Sequence, residues 1–180
     1  MQTYIAILRG INVSGQKLIK MDKLREALAS LGFSNLATYI QSGNVVFQAA
    51  NEDNLTLAQK IHNRIEKIFG FDVPVLVRSL DEWQQVVDNF PFEGIEEMNR
   101  LLVTFLEEKP AYIPKEEIDT LKASKDEVVY GEQEVYLYVP DGYGNSKLDN
   151  NTLERKLKVR ATTRNWKTTL TLLEMVNELK

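Results

Sequence analysis

The sequence predicts an α+β protein in which one β-α-β-β-α-β series is followed by a second, and three observations lead there. Short β-branched segments, TYIAILR at 3–9 and RLLVTFLE at 100–107, are apolar on both faces, as strands covered on both sides must be. Between them apolar residues recur at helical spacing, first Met21, Leu24, Leu28 and Leu31, then Ala58, Ile61, Ile65 and Ile68. The chain has 180 residues with 43% apolar content, enough for one large domain or two small ones with buried cores.

In order, the first strand stops at Gly10, and the helix over 21–31 is followed by Gly32, where a left-handed cap would sit. Strands at 36–41 and 44–48 flank Ser42-Gly43, the signature of a tight hairpin. A long helix at 52–69 and a strand at 74–78 close a ferredoxin-like, split βαβ unit over residues 1–78. Ser79 with Glu82 reads as a capping box opening a short helix with Trp83, Val86 and Val87, which Asn89-Phe90-Pro91 ends. Residues 79–99 are thus expected to be a helical connector.

The pattern then restarts, with a strand at 100–107 and a helix at 114–122 that has Pro114 near its first turn. Strands follow at 127–131 and 134–139 around Gly131, then a helix at 150–158. Where a last strand should follow, the sequence offers ATTRNW at 161–166 and then Leu170, Leu173, Val176 and Leu179, a helix at about 165–179 that Thr162 to Trp166 opens. Residues 100–180 are therefore expected to form a second ferredoxin-like unit, modified with C-terminal helices, the last of which covers a sheet face. No residues are read as repeated between the halves.

Composition removes several classes of function. With no cysteine there is no disulfide framework, thiolate metal site or thiol nucleophile. The N-terminus runs straight into a strand, without a basic leader, and no stretch reaches the roughly 18 apolar residues of a membrane span. A cytoplasmic protein is expected, with no membrane partner. The net charge of −4 argues against bulk nucleic-acid binding. The charge is unevenly spread: residues 91–134 carry 12 acidic and 5 basic side chains, whereas 147–167 carry 7 basic and 2 acidic. A second basic run, Arg9, Lys17, Lys20, Lys23 and Arg25, faces Asp22 alone. The acidic stretches read as a solvated face.

Three polar segments are not required by core packing. The first is RGINVSGQK at 9–17. In it Arg9 ends a strand, where it can reach a crevice above the sheet edge, and Asn12 and Lys17 are polar neighbours. The second is QSGN, offering Gln41, Ser42 and Asn44; here a structural arginine and an ordinary hairpin turn are equally open readings. The third is DGYGNSK at 141–147, where Gly142 and Gly144 could let amides converge on an anion beside Asn145 and Lys147. It is not a Walker A loop, and a surface turn followed by an Asn151 and Glu154 helix cap is the plainer reading.

Beyond it, Arg164 can offer a bidentate fork to phosphate, Asn165 is polar at the helix opening, and Trp166 could stack on a ring. A threonine cap, a solvated arginine and a core tryptophan are the structural alternatives. The single histidine, His62, lies beside the apolar stripe of its helix and reads as a solvated surface residue. No histidine triad or metal cluster is assembled from sequence, and neither a metal nor a cofactor is expected.

The segments LRGINVSG, TYIQSGNVVF, GYGNSKL and ATTRNW, in this order and at these separations, resemble the bacterial domain of unknown function 1697 family. The resemblance spans nearly the whole chain. It implies a two-part α+β fold and a bacterial-type cytoplasmic protein, and carries no established activity with it. The family's polar positions correspond here to Arg9, Gly10, Asn12, Gln41, Ser42, Gly43, Asn44, Gly144, Asn145, Ser146, Lys147, Thr163, Arg164, Asn165 and Trp166.

The leading expectation is a binding protein for a small anionic, phosphate-bearing or nucleotide-like ligand, held by Arg9, Lys147 and Arg164 with amides of the glycine loops. A second reading is a metal-independent hydrolase or transferase on a phosphorylated or acylated substrate. Arg9 with Asn44 loosely echoes small ferredoxin-like acylphosphatases, an analogy at the level of fold. A third is an RNA or protein interaction module, although NVVFQ lacks the basic and glycine positions of an RNA-recognition strand.

Overall fold

Strand β1 (Gln2–Leu8) has hydrogen-bonded neighbours on both edges, antiparallel β3 (Asn44–Ala49) on one side and antiparallel β4 (Val75–Ser79) on the other. With β2 (Ser34–Tyr39) outside β3, the sheet order is β2-β3-β1-β4. Helices α1 (Met21–Ala29) and α2 (Asn54–Phe69) supply its cover. The same plan follows in a second sheet, β6-β7-β5-β8, made of β5 (Leu101–Leu106), β6 (Glu127–Tyr130), β7 (Glu134–Tyr138) and β8 (Ala161–Asn165). Its helices are α4 (Lys115–Asp119) and α5 (Asn150–Leu157). Two more helices follow the last strand of each series, α3 (Leu80–Asp88) and α6 (Trp166–Glu178). This computed structural model describes residues 1–179.

The chain divides into two compact units, Val86–Leu170 on the one hand and, on the other, Met1–Gln85 with the chain from Thr171 onward. The boundaries fall inside α3 and α6.

In the first unit Tyr4, Ala6 and Leu8 of β1 pack with Phe47 and Val77 beneath Leu24 and Leu28 of α1 and Leu57, Ile61 and Ile65 of α2. The alternate residues Ile5 and Ile7, which point to the other face, are fully buried too, which explains why the segment is apolar throughout. Gln48 Nε2 donates to the Leu179 carbonyl at 3.1 Å, tying the chain after α6 to that sheet. In the second unit Leu102, Leu106, Val135 and Leu137 meet Ile118, Leu153 and Leu157 in an equivalent core.

The predicted elements are found within a residue or two at most boundaries, and three readings change. The last strand, read as missing, is present: Ala161–Asn165 pairs along β5, and the helix expected from about 165 begins at Trp166. Its Thr162 and Thr163 are β-branched and suit the pleat, but the absence of any turn before the helix hides the boundary. The cap of α5 is Asp149, whose carboxylate accepts from the Thr152 amide, and not Asn151 with Glu154; Glu154 instead accepts from the Ala161 amide at 2.8 Å. The helix near 114–122 is a short one, Lys115–Asp119.

The completed β8 exposes a correspondence between the units. Arg78 of β4 lies opposite Ile5 of β1, and Arg164 of β8 opposite Val103 of β5. Each arginine donates to the carbonyl of its preceding residue, Val77 at 3.1 Å and Thr163 at 3.0 Å. The next residue caps the following helix in each case: Ser79 Oγ accepts from the Glu82 amide, and Asn165 Oδ1 from the Thr168 amide. The Ser79–Glu82 capping box is reciprocal, because Glu82 also accepts from the Ser79 amide at 2.7 Å.

One buried polar atom is left over. The Tyr130 hydroxyl has no hydrogen-bond partner among the described residues, and burial, with Asp119 nearby, pushes it up from 10.0 to about 12. The folded chain therefore holds this proton more tightly than the unfolded chain. That contribution to stability is whole below pH 10 and is lost as the pH rises toward 12. Tyr130→Phe should leave stability at pH 7 unchanged or raise it by up to about 1 kcal/mol. It should also flatten the alkaline loss in urea denaturation measured between pH 9 and 12; a clear loss at pH 7 would contradict the unsatisfied hydroxyl.

Candidate functional site

The loop leaving β1 folds into a small finger. Val13 bridges Gln16 in antiparallel fashion, and the two residues between them, Ser14 and Gly15, both have positive φ, 52° and 73°, as a type I′ turn requires. Gly10, Asn12 and Lys17 are also left-handed, at 77°, 55° and 47°. Asn12 holds the finger: its amide nitrogen donates to the carbonyls of Ile19 (3.0 Å) and Gln41 (2.7 Å), and its oxygen accepts from the Ile19 amide (2.8 Å). Lys17 Nζ reaches the Asp72 carbonyl at 2.5 Å. Arg9 is half-buried, and its backbone amide donates to the Pro74 carbonyl at 3.1 Å.

Asn12 thereby joins the finger to the hairpin turn at 40–44. Asn44 is fully buried, and its amide nitrogen donates to the Tyr39 carbonyl (2.9 Å) and to Ser42 Oγ (3.0 Å). Gly43 has φ 90°, and a Cβ there would lie 2.8 Å from both Ile11 Cδ1 and Leu8 Cβ. Gln41 is exposed and contributes its carbonyl to the Asn12 clamp. Arg9, Asn12, Lys17, Gln41, Ser42 and Asn44 therefore all sit at one end of the first sheet, with Asn12 and Asn44 engaged in backbone hydrogen bonds. Exposed apolar side chains share that end: Val13 is 57%, Leu18 64% and Ile40 52% accessible.

The second unit treats its predicted site residues differently. Asn145 sits in a 3-10 turn and donates to the Asp141 carbonyl at 3.0 Å, while Lys147 is exposed. A Cβ on Gly142 would fall 2.4 Å from Arg100 Nη1, so the glycine lets that guanidinium lie against the loop. Arg164 is half-buried, and desolvation lowers it from 12.5 to about 10. Asn165 caps α6. Trp166 is buried and stacks on Phe90 with centroids 3.8 Å apart. Thr163 belongs to a hydroxyl chain running from the buried Thr104 (2.8 Å) to Asn150 Oδ1 (2.9 Å), and Asn150 in turn donates to the Ala161 carbonyl.

His62 corrects the expectation of a solvated surface side chain. Its Nδ1 lies 2.9 Å from the Val73 carbonyl, and Nε2 lies 3.6 Å from Asp72 Oδ1 and 3.9 Å from Glu66 Oε2. Among the described residues these three form the one group of histidine and carboxylates close enough to hold a metal ion. The i, i+4 spacing of His62 and Glu66 was visible in the sequence; that Gly70, left-handed at φ 76°, turns Asp72 back onto them was not.

The family model described as "Protein of unknown function (DUF1697)" matches residues 1–136. The chain belongs to that family. No curated protein matches this DUF1697 chain. A solved structure titled as the conserved bacterial protein SP0830 from Streptococcus pneumoniae is similar to it, with TM-score 0.74 and 21% identity over 97% of this chain and 98% of that one. At that identity the likeness is one of fold. No helix among the described residues of the DUF1697 chain is long and apolar enough to cross a membrane.

The contrast between two glycines tests the site's construction. Gly43→Ala combines a left-handed backbone with a collision against Leu8 and Ile11, and should cost about 3 kcal/mol in chemical denaturation. Gly10→Ala meets open space at the same sign of φ and should cost about 1 kcal/mol. Equal losses would refute the close approach at Gly43.

Proposed function

We propose that the protein binds a small phosphate-bearing, nucleotide-like ligand at the loop end of its first sheet, around the 9–17 finger. The observation that carries this reading is the backbone of the finger: five left-handed residues in nine, at positions 10, 12, 14, 15 and 17, clamped by one asparagine and flanked by Arg9 and Lys17. Successive amides of such turns can converge on an anion, although those of Asn12 and Gln16 are taken by the Lys17 and Val13 carbonyls, and the exposed Val13, Leu18 and Ile40 offer apolar surface beside them for a base or an acyl chain. We also read each unit as ferredoxin-like, on the strength of the sheet orders and the antiparallel neighbours. A cytoplasmic setting, where phosphorylated metabolites are abundant, belongs to the same proposal.

The site is drawn around the first unit alone. Asn165 and Trp166 already serve a helix cap and an aromatic stack, and the half-buried Arg164 donates to the Thr163 carbonyl, so none of the three is assigned to it. The exposed Lys147 and neighbouring Asn145 belong to a separate loop. Asn44, whose amide is committed to Tyr39 and Ser42, is poorly placed to orient a water, which favours binding over the hydrolase reading. The central strands are buried on both faces, which disfavours an RNA-stacking sheet.

Thermal shift with ATP, GTP, ADP and pyrophosphate tests the proposal. A ligand at 100 times its dissociation constant should add about 2.7 kcal/mol to stability. Arg9→Ala and Lys17→Ala should each weaken that ligand about tenfold, whereas Lys147→Ala should leave its affinity unchanged. The proposal fails if no member of the panel raises the melting temperature, or if Lys147→Ala alone abolishes the shift.

A further inference from the structure

We infer that His62, Glu66 and Asp72 form a binding site for a divalent transition-metal ion of the zinc class. The argument begins with the tautomer of the imidazole. The Val73 carbonyl can only accept, so Nδ1 carries the proton of the neutral ring. Nε2 is then left with its lone pair aimed at two carboxylates, 3.6 and 3.9 Å away. These separations are too long for hydrogen bonds, and a lone pair facing two anions is relieved by a cation, either a proton on Nε2 or a metal ion held among the three groups. Ligands bound at about 2.0–2.1 Å around a tetrahedral ion stand about 3.4 Å apart, close to the two separations from Nε2, and all three ligand atoms lie within 4.8 Å of one another.

The surroundings supply what such a site needs. A metal-binding histidine ordinarily donates its other N–H to a carbonyl or carboxylate, which fixes the ring and makes it a better ligand. The Val73 carbonyl does this from a residue that is itself fully buried, so the imidazole is anchored to the core and not to the mobile surface. The His62 side chain is 23% accessible, against 60% for Glu66 and 83% for Asp72. The better-anchored ligand is thus the nitrogen, and the two exposed carboxylates are the ligands that would move to close on an ion. Three protein ligands leave the fourth position open to water or a ligand atom. One nitrogen and two oxygens select zinc, nickel or copper over calcium or magnesium, which take all-oxygen sets.

The chain contains one histidine and no cysteine, so the response of a single imidazole reports on the site without ambiguity. Untagged protein would be titrated with zinc chloride while the imidazole nitrogens are followed by two-dimensional 15N NMR. The expected result is saturable binding of one equivalent, with a large shift confined to Nε2 and Nδ1 still protonated. Glu66→Gln and Asp72→Asn, both on exposed side chains, should each weaken zinc at least tenfold while the metal-free melting temperature stays within 2 °C of the parent, roughly the scatter of surface substitutions. Magnesium at the same concentrations should move nothing. The inference is overturned if the imidazole does not respond to millimolar zinc, if Nδ1 is the nitrogen that shifts, or if the Glu66→Gln, Asp72→Asn double variant binds as tightly as the parent. None of these outcomes depends on whether a phosphate ligand binds at the finger.

Discussion

Each sheet is organised by the confinement of its first strand. β1 and β5 are hydrogen-bonded along both edges and buried on both faces, so a polar side chain placed along either must find its partners inside the protein. β1 avoids the problem with Ile5, Ala6, Ile7 and Leu8 and meets it at Tyr4, whose hydroxyl is 3.1 Å from the Glu52 carbonyl. β5 admits one exception, Thr104, and accommodates it with the hydroxyl chain through Thr163 to Asn150. With the strands closed to polar chemistry, recognition is pushed into the segments that leave their ends.

Those segments are held by asparagines. Asn12 spans the finger and the hairpin turn; Asn44 locks the turn from inside; Asn150 ties α5 to β8. In every case the amide bonds to backbone groups, the use a short polar side chain finds where the chain is irregular. An asparagine in a loop motif is therefore ambiguous when read from sequence, because the same residue that could grip a ligand is also the one that best replaces missing ladder hydrogen bonds.

The order of strands and helices was legible wherever periodicity was strong and a glycine or proline marked the end, as at Gly10, Gly32, Gly43 and Gly70. The Ser79–Glu82 box was legible for the same reason, since its two partners stand three residues apart. β8 was not, because five residues with one arginine and one asparagine carry little pattern and no turn separates them from α6. The correspondence of Arg78 with Arg164 followed it into obscurity, since it appears only once both strands are aligned on their central neighbours. Of the candidate site, Arg9, Asn12, Lys17, Gln41, Ser42 and Asn44 are indeed neighbours at one sheet end. The partial burial of Arg164, the stacking of Trp166 on Phe90 and the return of Asp72 toward His62 are long-range outcomes of packing, invisible to local spacing.

At the end of β4 and again at the end of β8, the strand becomes helix with no residue in between, the capping side chain being the last of the strand itself. Such a corner has no slack. Twisting either sheet must swing the axis of its helix, as a handle turns with a blade, and lengthening the junction by one position would rotate every helical side chain by about 100° relative to the sheet. Growth or loss of residues over evolutionary time is then steered away from these corners and toward the looser stretches at 91–95 and 108–112, which lie outside the strands, the helices and their caps.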